Sequence, residues 1–269
     1  MSQRTRILSI DGGGIRGMIP AIVLAELEKR AGKPVAELFD LVVGTSTGGI
    51  LACGLTVPGS AGRPRYAANE LIALYEQHGP DIFSRTLLKR VRSLEGIIDE
   101  RYPTAPLEEV LRRYFGNTRL REAMTRVLVT AYEIERRSPW FFRSERAQAD
   151  AAYDFPMVEV ARATSAAPTY FEPAKLAVPG SPSDYFALVD GGVFANNPGM
   201  CGWAEARALG LPEDTVVLSL GTGSLIRRIP YDDAKDWGRA DNLRDLRLEG
   251  ENLVQRKSAQ LDRVLPLMA

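Results

Sequence analysis

The chain has 269 residues, 45% hydrophobic and 25% charged, with 34 basic side chains balancing 34 acidic ones; this is ordinary globular composition, long enough for one large α/β domain or two small ones. Zero formal net charge supplies no basic field and disfavours nucleic-acid binding as the main task. Two cysteines, Cys53 and Cys201, and one histidine, His78, exclude a disulfide framework and His-rich zinc sites, point to a reducing compartment, and leave a Ser-His-Asp triad one imidazole to use.

The opening MSQRTRILSI carries charges where a signal peptide needs its apolar stretch. The most apolar window, residues 41–57, is broken by glycine and hydroxyl residues at 44–49, whereas a bilayer span needs about 20 apolar residues. The expectation is a soluble, cytoplasmic protein that touches the inner membrane from outside if at all.

Residues 6–10 read as a buried strand stopped by Asp11-Gly12-Gly13-Gly14. Pro20 then suits a first helical turn, and Val23, Leu24, Leu27 and Ala31 fall on one helical face before Gly32 closes it. The unit repeats: residues 41–43 form an apolar strand, 44–49 a turn, and 50–55 a buried helix. Two strand-turn-helix units in succession predict a mostly parallel sheet covered by helices, with sites beyond the carboxyl ends of its strands. Residues 57–64 read as a loop, 69–77 as a helix stopped by Gly79-Pro80, and 104–115 as a helix ended by Gly116. Strands are expected at 126–134, 140–143, 187–189 and 215–220, and helices at 156–163 and 198–208. A single domain is preferred. The polar residues 226–269 form either a surface helix or a poorly ordered end.

Gly44-Thr45-Ser46-Thr47-Gly48 follows a buried strand and precedes an apolar helix. A serine there takes a strained conformation that lifts its hydroxyl above the sheet, and small residues two positions to each side let strand and helix approach. The alternative is a tight turn whose Ser caps the helix. Asp11-Gly12-Gly13-Gly14-Ile15-Arg16-Gly17 stands at another strand end, where exposed amides suit either a phosphate or an oxyanion. Its G-x-G-x-x-G spacing matches a dinucleotide fingerprint, but that reading wants an acidic residue at the end of the second strand, and Asp40 precedes the strand instead.

A nucleophilic serine needs a base. His78, at the end of a predicted helix, is placed to interact with terminal carbonyls, which leaves a carboxylate. Asp190 is the best candidate, because the apolar residues 186–189 would deliver it to the carboxyl edge where Ser46 stands, and Gly191-Gly192 leaves room beside it. The competing reading is an inert Asp-Gly turn.

These residues resemble the three ordered signatures of patatin-like phospholipases: residues 7–17, Gly44 through Gly49, and Asp190-Gly191-Gly192, with residues 115–120, 161–171 and 190–198 similar to intervening family segments. The likeness runs over residues 5–225. It implies a three-layer α/β fold and a lipid acyl hydrolase without metal or cofactor, whose nucleophile is Ser46, whose proton acceptor is Asp190, and whose oxyanion hole is built from the amides of Gly12, Gly13 and Gly14. Arg16, Gly17, Gly44, Gly48, Gly191 and Gly192 support the motifs, Arg16 either bracing the loop or attracting a lipid phosphate. Asp190 must then be buried, since a carboxylate of ordinary pKa near 4 is a poor base toward a hydroxyl.

Three further expectations concern substrate and control. Residues 164–168 line an acyl pocket or form a buried helix end. Residues 84–92, basic with apolar residues interleaved, form a solvated face or a contact with an anionic membrane. Trp140-Phe141-Phe142 is open to the same two readings, and the loops at 57–64 and 178–185 are candidate mobile covers. Residues 230–238 resemble a segment of bacterial patatin-like effectors that cyclic nucleotides activate in phage defence, although the chain after Gly238 departs from that group. The competing functions are an esterase or thioesterase on soluble acyl compounds and a nucleotide-binding module using Gly12 to Gly17.

Overall fold

The computed structural model describes residues 4–83, 103–168, 170–223 and 240–268. Among the described residues seven strands form one sheet: β1 (Thr5–Ile10), β2 (Leu41–Thr45), β3 (Arg126–Glu133), β4 (Ser138–Arg143), β5 (Ala174–Val178), β6 (Ser181–Asp190) and β7 (Thr215–Leu220). The order is β5-β6-β3-β2-β1-β7, with β4 also on β3. β7, β1, β2 and β3 are parallel, while β4 and β6 run antiparallel to β3 and β5 antiparallel to β6. Five of the seven strands therefore point one way, and helices flank the sheet, as the repeated strand-turn-helix pattern requires.

The helices are α1 (Met18–Ala31), α2 (Val35–Leu38), α3 (Thr47–Thr56), α4 (Ala68–Phe83), α5 (Thr104–Phe115), α6 (Ser144–Ala149), α7 (Met157–Thr164), α8 (Gly192–Ala195), α9 (Gly199–Ala208), α10 (Ala240–Arg256) and α11 (Ser258–Met268). Every residue of α3 is buried, so this helix, apolar on all sides, is the centre of the core together with Leu8, Ile10, Val42 and Val129 of the sheet. Each such aliphatic side chain taken fully out of water is worth about 1.5–3 kcal/mol. α1 starts with Pro20 inside the first turn, where no intrahelical N–H is needed. It stops where Gly32, at φ 65°, donates to Glu28 O.

Several boundaries differ from the sequence expectation for physical reasons. α4 does not stop at Gly79-Pro80 but continues to Phe83: without a Cβ, Gly79 lets Ile15 and Leu243 pack against the helix, and this packing outweighs the breaker signal. Residues 178–185 are not a loop; they are the end of β5, the turn at 179–180 with Gly180 at φ 80°, and the start of β6. Residues 57–64 cannot cover Ser46 either, because the ten residues of α3 carry the chain about 15 Å away, to where Met124 N donates to Thr56 O just before β3. Trp140 and Phe142 pack with Phe186 and Phe155 as strand residues. The polar C-terminal stretch is helical from Ala240, with Gly250 seated on Ile22 of α1 and Leu243 and Met268 buried. Residues 84–92 and 230–238, which carry the membrane and cyclic-nucleotide expectations, lie outside the described residues.

Candidate active site

Ser46 alone makes the reversal between β2 and α3. Its backbone sits at φ 56°, ψ −124°, a region L-residues avoid at a cost of order 1–3 kcal/mol. The flanking glycines are a steric necessity: a Cβ on Gly44 would lie 2.2 Å from Gly48 O, and one on Gly48 would lie 2.1 Å from Ile10 O.

Asp190 reaches this turn by an unexpected route. β3 pairs with β2 along Arg126 to Thr130 and with β6 along Ala131 to Glu133, while β4 pairs across both stretches. β2 and β6 therefore share one edge of β3 and meet end to end from opposite directions. Thr45 stands opposite Thr130 and Asp190 opposite the next residue, Ala131. The strand delivers its carboxylate to Ser46, as the apolar run before it suggests, but antiparallel to the core strands.

Ser46 stands beside the Asp190 carboxylate, near enough for its side chain to help lower the carboxyl's pKa, and Gly192 N donates to Asp190 Oδ1 at 2.7 Å. Asp190 is 5% exposed. Burial pushes its pKa up to about 6, against the lowering effect of Ser46 and of the Gly192 hydrogen bond. Gly191 is required because a Cβ there would lie 2.1 Å from Thr130 Oγ1.

Three threonines hold the turn, a role that no local signal assigned to them. Thr45 Oγ1 donates to Ala195 O at 2.7 Å, so in its 2.6 Å contact with Thr130 Oγ1 it is the acceptor. Thr164 Oγ1 accepts from Ser46 N at 2.8 Å and donates to Thr130 O at 2.7 Å. Asp190 N donates to Ala166 O at 3.0 Å. Thr164 and Ala166 thus belong to a buried helix end, not to an open acyl pocket. Nothing local in a threonine inside an apolar strand or at a helix end distinguishes such roles.

The glycine-rich loop lies beside the turn: a Cβ on Gly12 would meet Asn196 Oδ1 at 2.6 Å and Ser46 Cβ at 3.2 Å. Gly12 N already donates to Asn196 O at 3.0 Å, so of the three amides expected to face an oxyanion, this one is occupied. No described residue accepts from Gly13 N or Gly14 N. Thr222 Oγ1 donates to Gly12 O at 2.8 Å, and Arg16 donates from Nε to Gly13 O and from Nη1 to Gly223 O. Arg16 therefore braces the loop against the end of β7. Gly17 admits Thr47 and Tyr75, whose hydroxyls are bonded to each other.

His78 stands edge-on to Tyr114, ring centroids 6.3 Å apart, on α4. Among the described residues no group of three or more His, Cys, Asp or Glu is arranged to hold a metal ion, and no helix is long and apolar enough to cross a membrane.

A family model described as patatin-like phospholipase matches residues 8–200. Patatin-like protein 2 of Oryza sativa subsp. indica is 35% identical over 261 residues, covering 86% of this chain and 64% of its own. Patatin-like protein 1 of Arabidopsis thaliana is 33% identical, covering 86% and 62%. A Solanum tuberosum protein named probable inactive patatin-3-Kuras 1 is 31% identical, covering 88% and 68%. The chain thus spans a little under two thirds of the first two relatives. Among solved structures, VipD from Legionella pneumophila aligns over 87% of this chain and 52% of its own, with 13% identity and a TM-score of 0.42, too low to carry an argument. The glycine loop, the strained serine and the Asp-Gly-Gly strand end all fall inside the matched residues, and the chain belongs to the patatin-like phospholipase family.

Proposed function

We propose that this protein is a lipid acyl hydrolase that cleaves fatty-acyl esters of phospholipids or related lipids, with Ser46 as nucleophile and Asp190 as its base. The observation that carries the reading is a serine on a strained turn set beside a buried carboxylate whose pKa is pushed up to about 6. Ser46 Oγ attacks the ester carbonyl carbon as its proton passes to Asp190. The amides of Gly13 and Gly14, together with the N-terminus of α3, meet the oxyanion. Collapse expels the alcohol, which takes the proton from Asp190. Water then attacks the acyl-enzyme with Asp190 again as base, releasing the fatty acid.

Val193 and Phe194, three and four residues past Asp190, are exposed and offer apolar surface that suits an acyl chain. A soluble ester or thioester would use the same dyad. The nucleotide-cradle reading is disfavoured, because Gly12 N is occupied and Arg16 spends donors on Gly13 O and Gly223 O. Fatty-acid release from mixed phospholipid vesicles, compared with short-chain nitrophenyl and thioester hydrolysis, tests the assignment for wild type and Ser46→Ala. Release from vesicles that Ser46→Ala abolishes is the expected result; vesicles left intact while soluble esters turn over would move the substrate class, and full turnover by Ser46→Ala would overturn the mechanism.

A further inference from the structure

We propose that Thr164, acting with the main chain of Ala166, is a positioning residue that fixes the geometry between Ser46 and Asp190. The proposal rests on the acyl-hydrolase reading above and assigns part of its machinery. Both members of the dyad have their backbone amides anchored to this one stretch: Ser46 N donates to Thr164 Oγ1 and Asp190 N to Ala166 O. The two residues come from strands that meet end to end rather than as a hydrogen-bonded pair, so the sheet alone does not tie one to the other. The end of α7 does.

The Ser46 amide also needs a partner. It lies at positive φ just outside the α3 ladder, and a buried N–H left unpaired is costly. Thr164 accepts from it and passes its own proton to Thr130 O, locking the turn to β3. The other branch does separate work: Thr164 Cγ2 packs over Gly49 of α3, where a Cβ would lie 2.7 Å from it. Because both branches leave the same Cβ, one χ1 setting places the hydroxyl at Ser46 N and the methyl over Gly49 together. Thr164 is fully buried, and the proton chain it serves ends on a backbone carbonyl, so it orients Ser46 without taking part in proton transfer.

Two variants separate the branches. Thr164→Val keeps the shape and deletes the hydroxyl; Thr164→Ser keeps the hydroxyl and deletes the methyl. On a soluble ester, Thr164→Val should lose about ten- to hundredfold in kcat, as expected for a misplaced nucleophile, with KM within about twofold. Thr164→Ser should retain kcat within about threefold. Should Thr164→Val fail to accumulate folded, Thr164→Ala takes its place in the comparison with Thr164→Ser. Wild-type kcat in the hydroxyl-less variant, or equal losses in it and Thr164→Ser, would overturn the proposal. Ser46→Ala and Asp190→Asn run alongside: if either of these stays active, it is the acyl-hydrolase reading that fails.

Discussion

Replacing Asp190 by Asn separates what burial of this carboxyl does for catalysis from what it costs the fold. The residue is 5% exposed, and its pKa rises from 3.8 to about 6 because the charged form is desolvated. Below pH 3.8 both folded and unfolded chains carry the proton. Between 3.8 and about 6 only the folded chain holds it, so stability declines as pH rises through this window. Above about 6 the loss is complete. Roughly two pH units at about 1.4 kcal/mol each amount to about 3 kcal/mol. Asparagine has no such charge, keeps an acceptor for Gly192 N, and can donate to Ser46 Oγ. Between pH 4 and pH 8 the difference in unfolding free energy should therefore move in favour of the variant by about 2–3 kcal/mol, or about 5–10 °C in Tm. Removal of the base should lower kcat by about 10²- to 10⁴-fold, and the wild-type acid limb should fall near pH 6, activity rising with pH as Asp190 ionises. Urea or thermal unfolding of both proteins at several pH values, with ester hydrolysis in the same buffers, gives all three quantities. A stability difference that stays flat with pH, or an acid limb centred below pH 4.5, would refute the argument that burial raises this carboxyl.

Four other predictions follow from particular contacts. Gly48→Ala should lose at least about 3 kcal/mol, since its Cβ would stand 2.1 Å from a backbone oxygen; a thermal midpoint within 2 °C of wild type, an interval of roughly 1 kcal/mol or less, would contradict this. Arg119→Ala should cost about 2–3 kcal/mol, because Asp154 is 2% exposed and would keep only Arg121 as a cation; chemical denaturation measures it. In the native protein a maleimide should modify Cys201 well before Cys53, which is fully buried with its thiol pushed up to about 12, and peptide mapping after brief labelling would reveal the reverse order. His78→Ala should leave kcat within about twofold, because the ring packs on Tyr114 and the partner of Ser46 is a carboxylate; a large loss would restore the imidazole as a candidate base.

Much of the architecture is legible in short stretches. The strand-glycine-helix units at 5–31 and 41–56 come out as β1, α1, β2 and α3 because periodicity and breakers act within a few residues. The hairpin partner β5, the extent of β6 and the continuation of α4 through Pro80 do not, since each depends on what packs against it. Alternation over residues 174–178, AKLAV, is a weak signal that becomes a strand only when β6 lies alongside.

The sequence by itself marked the turn at 44–48, because glycines two positions to each side of a serine between an apolar strand and an apolar helix are a local pattern; the clash with Ile10 O that requires Gly48, and the positive φ of Ser46, belong to the folded chain. It also narrowed the base, since a lone histidine outside the elbow's neighbourhood leaves a carboxylate. Tertiary structure decided the remainder. Asp190, the carboxylate that the apolar run at 186–189 already favoured, stands beside Ser46 because β6 shares an edge of β3 with β2, a long-range pairing that no local pattern encodes. The same folding dries the carboxyl, occupies the Gly12 amide, turns Arg16 onto the loop it stands in, and brings Thr164 under Ser46. Burial and hydrogen-bond partnership depend on what lies across space, and those are the quantities that turn a hydroxyl and a carboxylate into a reactive pair.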